Sequence, residues 1–164
     1  MTHRPVMLAG VWPYSDPIDR ARFQARTFID PTVADGCWIW CGAIESDGGY
    51  GRYRPPHRDV IAAHRWSYLA THQATVWPVI RHRCDIRCCV NPAHLDAGTQ
   101  AANIADTVAR GGWTTTARTG PRSWPELAYR IRAAARAGDR ATVVALTARP
   151  RQLDLFPTGH PATP

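Results

Sequence analysis

Apolar residues in this 164-residue chain come in short bursts, and their spacing predicts small elements separated by turns. Residues 1–17 are rich in proline and polar side chains and read as a loose leader, followed by helical spacing over residues 19–27. Cys37-Trp38-Ile39-Trp40 has strand character. Asp47-Gly48-Gly49 reads as a hairpin turn, with residues 50–54 returning as the partner strand until Pro55-Pro56 ends the pattern. Residues 61–72 have helical spacing, with Ala62, Trp66 and Leu69 on one side, and residues 76–83 are β-branched enough for another strand. A loop then leads to a helix over residues 99–110 with Thr99 as its N-cap. The expected class is α+β, a small antiparallel hairpin combined with helices.

Composition changes this picture in two ways. The formal charge is +7, and all twenty basic residues are arginine, whose fork-shaped guanidinium suits bidentate phosphate contacts, although high genomic GC content would also replace lysine by arginine, so charge alone is weak support for a nucleic-acid partner. The five cysteines are an odd number, three of them lie within residues 84–89, and the sequence has neither a secretory signal nor an apolar stretch of membrane-spanning length. Secreted disulfide scaffolds and membrane proteins are therefore poor descriptions. A reduced, cytoplasmic protein with a metal site is the expectation.

The chemistry concentrates in His82-Arg-Cys84-Asp-Ile-Arg-Cys88-Cys89-Val-Asn91-Pro-Ala-His94. Cys84, Cys89 and His94 stand at equal five-residue steps, so a loop folded on itself can aim two thiolates and one imidazole at a single Zn²⁺. The fourth ligand of a closed tetrahedral site must come from elsewhere. Cys37 and Cys41 are the other two cysteines. Cys37 is the choice here, although Cys41 could reach in principle and Cys88 competes with Cys89. The thiols left over are read as small buried hydrophobes. His82 precedes Cys84 by two residues, and on a strand that separation puts both side chains on one face, beside the zinc without binding it.

Residues from about 22 to 110 resemble an HNH endonuclease of the phage and mobile-intron type, within the His-Me finger or ββα-metal superfamily. The resemblance rests on several motifs: Gly36-Cys37-Trp38, Gly49-Tyr50-Gly51-Arg52, Ala63-His64-Arg65, Arg81-His82-x-Cys84-Asp85, Cys89-x-Asn91-Pro92-x-His94-Leu95, and Gly98-Thr99 followed by Asn103 and Asp106. Two positions depart from the family's pattern, Ile86 where asparagine is common and the extra Cys88. The fold implied is a zinc-stapled ββα-metal core. Its implied activity is hydrolysis of DNA phosphodiester bonds to 5′-phosphate and 3′-hydroxyl ends.

The same resemblance implies roles for individual residues. His82 becomes the general base that takes a proton from the attacking water, and a neutral imidazole near pH 7 suits that task. Asn103, at the start of the following helix, becomes the oxygen ligand of a catalytic Mg²⁺, for which Mn²⁺ can substitute. Asn91, just before a proline, is expected to stabilise the loop through its side chain. Arg52, Arg54, Arg65, Arg81 and Arg83 are candidates for DNA contacts.

The expected organisation is a leader over 1–17, the nuclease core over 18–112, an arginine-rich helical extension over 113–148 and a disordered tail over 149–164. Ser123 and Glu126 have capping-box spacing before a helix whose Leu127 and Ile131 are placed to pack on the core, and Gly138-Asp139 separates it from a second helix. In the tail, Gln152-Leu153-Asp154-Leu155-Phe156 resembles the pentapeptide with which bacterial replication and repair proteins dock on the β sliding clamp. Apolar anchors on a free tail suit such docking.

Overall fold

The computed structural model describes residues 16–56, 58–72, 79–109 and 124–148. Most of the expected leader, Ser123, and the tail with its Gln152 to Phe156 pentapeptide lie outside the described residues. Among the described residues the chain is α+β, with five α-helices and small antiparallel sheets. No helix there is long and apolar enough to cross a membrane.

Helix α1 (Pro17–Gln24) starts where Asp16 accepts from the backbone of Ile18, with Pro17 as the first helical residue. Strand β1 (Thr27–Phe28) pairs antiparallel with β2 (Ile39–Trp40), Thr27 opposite Trp40. Strand β3 (Ala43–Ile44) pairs with β4 (Gly51–Tyr53), which pairs in turn with β5 (Ile61–Ala62). The hairpin partner of β4 is thus 43–44 and not the expected 37–40. Gly42 explains the shift: a Cβ there would lie 2.5 Å from the Trp40 ring. The chain turns under that ring, and residues 43–44, beyond the expected strand, become the partner of β4.

The expected helix over 61–72 gives up its first two residues to β5, and α2 runs Ala63–His72. Strand β6 (Val79–His82) pairs with β7 (Leu95–Gly98), placing His82 opposite Leu95 and Arg81 opposite Asp96. Residues 95–98, expected as part of the loop, form β7 instead. A four-residue strand that carries Asp, Ala and Gly shows little β-propensity, and its pairing with β6 decides the conformation. Helix α3 (Gln100–Ala109) follows, capped by Thr99 Oγ1, which accepts from Ala102 at 3.1 Å. Helix α4 (Trp124–Ala137) ends before Gly138, whose φ of +71° suits glycine, and Asp139 caps α5 (Arg140–Thr147).

Adjacent residues of β2 face two cores, as strand alternation requires. Trp40 enters an aromatic cluster with Phe23, Tyr53 and Trp66, in which Phe23 stacks on Trp66 at 4.2 Å and on Trp40 at 4.7 Å. Ile39 enters the other, with Ile86, Cys88, Cys89 and the α4 residues Ala128, Ile131 and Ala135. The expected packing of Leu127 and Ile131 is present. The helical extension therefore covers the cysteine loop directly.

Candidate functional site

The loop between β6 and β7 is held from three sides. Trp40 N–H donates to the Cys88 carbonyl at 2.9 Å and Val90 N–H to the Trp38 carbonyl at 2.8 Å, which makes residues 88–90 a short antiparallel neighbour of β2. Ser67 of α2 donates to the Val90 carbonyl at 2.6 Å. Asn91 accepts from Ala93 N–H at 3.0 Å and donates through Nδ2 to the Gly36 carbonyl at 2.7 Å, so its buried amide joins the loop to the segment before Cys37.

These ties bring Cys37, Cys84, Cys89 and His94 together, with one ligand atom of each lying within 4.8 Å of all the others. The Sγ atoms of Cys37 and Cys89 both stand 3.6 Å from His94 Nδ1. Tetrahedral Zn²⁺ with Zn–S near 2.3 Å and Zn–N near 2.0 Å spaces its ligand atoms roughly 3.5–3.8 Å apart, so the group could hold zinc with small adjustments. Three thiols and an imidazole are the donor chemistry of a structural zinc site, and together they supply the four ligands of a closed tetrahedron. Cys41 and Cys88 stay outside the group, Cys41 against the Ile39 carbonyl and Cys88 in the core. Cys41 could reach the zinc on sequence grounds, but its Sγ is 3.6 Å from that carbonyl.

The protonation of the cluster follows from its hydrogen bonds. Cys37 and Cys89 donate to the Cys84 sulfur and hold it far below the ordinary thiol range. The same Cys84 raises Cys37, while burial first and these contacts second raise Cys89. The Cys84 side chain also raises His94 above its ordinary value.

Asp35 orients His94. Its backbone carbonyl and its Oδ1 both lie 3.1 Å from His94 Nε2, on the far side of the ring from the thiols. Nε2–H therefore points to Asp35 and the Nδ1 lone pair points at the cysteines, the arrangement by which carboxylates orient metal-binding histidines. Asp35 takes a φ of +52°, a left-handed conformation that aspartate tolerates better than most residues. No spacing rule singled out Asp35, which comes near His94 from 59 residues earlier in the chain.

His82 ends β6 and is 8% exposed, and its Nε2 stands 3.0 Å from the Cys89 carbonyl. Burial pushes its imidazole below the ordinary value, partly opposed by Cys84, by the Cys89 carbonyl and by Asp85. The ring is neutral near pH 7. His64 of α2 packs on it with ring centroids 4.6 Å apart, and Tyr50 lies 5.3 Å from His64 and 5.9 Å from His82. His64 Nδ1 is buried with no hydrogen-bond partner, and burial pushes this imidazole well below its ordinary value. The Ala63-His64-Arg65 and Gly49-Tyr50-Gly51 motifs marked both residues, but spacing alone could not place them against His82.

The candidate DNA contacts differ in their surroundings. Arg52 and Arg54 are exposed in and after β4, and Arg65 is half-buried on α2. Arg83 Nε lies 3.8 Å from Asp96, and Arg81 is paired with Asp106 of α3. Arg87, which the sequence did not mark, donates to the Gly48 carbonyl at 2.8 Å and packs between the Tyr50 and Trp124 rings. Asn103 lies in the first turn of α3, its N–H bonded to the Thr99 carbonyl at 3.0 Å. Family models, curated proteins and solved structures offer no match to this chain.

Proposed function

We propose that this chain is an HNH-type DNA endonuclease or nickase, dependent on Mg²⁺, that hydrolyses phosphodiester bonds to 5′-phosphate and 3′-hydroxyl ends. The observation that carries the reading is the 3.0 Å contact between His82 Nε2 and the Cys89 carbonyl. A carbonyl only accepts, so Nε2 holds the proton and Nδ1 keeps a lone pair. In the reaction, Nδ1 accepts the proton of the attacking water as its oxygen bonds to phosphorus, the bond to the 3′ oxygen breaks, and that oxygen takes a proton from solvent.

The zinc cluster has a structural part: it fixes the loop whose Cys89 carbonyl orients His82. For the divalent ion, α3 offers the amide oxygen of Asn103, while the nearby carboxylate of Asp106 is engaged by Arg81. One neutral protein oxygen completed by water and substrate phosphate is a donor set Mg²⁺ accepts. Bound there, the ion supplies Lewis-acid stabilisation of charge on the phosphate and the departing oxygen. The succession β6, β7, α3 supports the ββα-metal assignment, and exposed Arg52 and Arg54 suit phosphate contacts.

Incubation of supercoiled plasmid with Mg²⁺, with and without EDTA, followed by analysis of the product termini, tests this reading. A second reading, a zinc-stabilised DNA-binding module without cleavage, is favoured by the low exposure of His82. Binding without cleavage would select it. The pentapeptide 152–156 is proposed to tether the enzyme to the bacterial β sliding clamp, raising its local concentration on replicating DNA. A peptide of residues 149–160 that fails to bind the clamp in a titration removes that part.

A further inference from the structure

Strand alternation divides β6 between two tasks. Ile80 and His82 are buried on one face, while Val79 and Arg81 project from the other. On that second face Arg81 Nη1 forms an ion pair with Asp106 Oδ2, and the two side chains are only 21% and 16% exposed. The guanidinium occupies a niche left by Gly98 on β7. A Cβ at Gly98 would lie 2.7 Å from Arg81 Nε and 3.0 Å from Cζ. Nε itself is buried with no hydrogen-bond partner, so the niche holds the planar group by shape as well as charge. Exposed arginines on this protein, such as Arg52 and Arg54, have no such enclosure.

Asp106 and Asn103 are three residues apart on α3 and therefore neighbours on one helix face. The Arg81–Asp106 pair joins the strand that ends in His82 to the helix that carries Asn103. We propose that Arg81 is a positioning residue: with Asp106 and the Gly98 niche it fixes α3 on β6, and so sets Asn103 relative to His82. This rests on the hydrolase reading above. It gives Arg81 a task other than the phosphate contact that its charge alone suggests, and it gives Gly98 and Asp106 functions that no sequence pattern assigned. The pair works as a buckle because removing either charge leaves the other half-buried and unpaired.

The test compares Arg81→Ala, Asp106→Asn, Gly98→Ala and the Arg81→Ala/Asp106→Asn double variant in the full chain. Plasmid cleavage gives kcat and KM, and hydrogen exchange reports the amides of α3. Misplacement by about 1 Å costs on the order of 10²-fold in rate. Each single variant should therefore lose kcat on that scale with KM for DNA unchanged. The double variant should be no worse than the worse single, because both changes open one contact. The α3 amides should exchange faster in every variant while zinc content stays as in the wild type. A phosphate contact would give a different result: a raised KM in Arg81→Ala alone, with Asp106→Asn and Gly98→Ala at wild-type kcat, and that result overturns the proposal. Asp106→Asn is nearly isosteric and keeps the test open if Arg81→Ala does not fold. Exchange also separates the two readings. Should the wild type cleave nothing, the hydrolase reading fails, whereas unchanged α3 protection in Asp106→Asn overturns the buckle.

Discussion

His82 Nε2 and the Cys89 carbonyl oxygen stand 3.0 Å apart, so the ring that carries the proposed base is oriented by the backbone of a residue in the thiol cluster. Support for the loop and orientation of the histidine are the same piece of structure. Loss of the cluster should then disable the histidine without touching it.

Cys37→Ser, Cys84→Ser, Cys89→Ser and His94→Ala should each abolish stoichiometric zinc, while Cys41→Ser should retain it. Structural zinc supplies on the order of 10 kcal/mol in small zinc domains, comparable with the total stability of a typical domain. Chelation is thus expected to unfold the cysteine loop together with the α4 packing that covers it. Zinc content by metal analysis and circular dichroism during chelation measure both effects. Full zinc content in Cys37→Ser would contradict the ligand set.

Much of this centre was legible in the sequence. Equal spacing of Cys84, Cys89 and His94 is a local signal, and a loop between two strands preserves it. Nothing in the spacing decided between Cys37 and Cys41, since alternation puts residues 37, 39 and 41 on one face; the fold separates them by turning Cys41 Sγ to the Ile39 carbonyl. Position across long separations was not legible. Asp35 meets His94, His64 meets His82 and Arg81 meets Asp106 only after α2, α3 and the small sheets have packed, and no period of 2 or 3.6 residues encodes that. Strand β7 escaped notice for a related reason, since Asp96-Ala97-Gly98 forms a strand through its pairing with β6.

Asp35→Ala should weaken zinc binding by roughly 10–100-fold, the usual cost of losing a group that orients a metal ligand. The Asp35 carbonyl, also 3.1 Å from His94 Nε2, remains in the variant and favours the lower end. A competition titration against a chromogenic chelator measures the change. Wild-type affinity would mean that the carbonyl alone orients the imidazole.

His64 gives a pH prediction. Burial lowers its folded pKa below the ordinary value of 6.5, so below that pH the unfolded chain takes up a proton that the folded chain refuses. Its contribution is complete above pH 6.5, and stability falls as the pH drops through the unfolded value. In His64→Phe this share disappears. Between about pH 7.5 and about pH 5.5 the variant's melting temperature should fall less than the wild type's, and removal of the unpartnered Nδ1 relieves a cost of about 1–3 kcal/mol. Equal acid sensitivity in the two proteins would contradict a buried neutral His64.

Tyr53 anchors α1. Its hydroxyl donates to the carboxylate of Asp19, which is 3% exposed, and to the Asp19 carbonyl at 3.2 Å. Burial and Asp19 push the phenol above its ordinary value, so it remains a donor. Tyr53→Phe leaves that carboxylate without this partner and should cost about 1–3 kcal/mol. A lowered urea midpoint with normal zinc content is the expected result, and an unchanged midpoint would show that α1 is held elsewhere.

The most direct measurement compares wild-type and His82→Ala proteins, both loaded with zinc, on supercoiled plasmid in Mg²⁺. Nicked or linear DNA with 5′-phosphate ends is expected from the wild type, abolished by EDTA, and none from His82→Ala despite its full zinc content. Cleavage retained by His82→Ala would contradict the assignment of His82 as the base, and no cleavage by the wild type would contradict the enzyme itself.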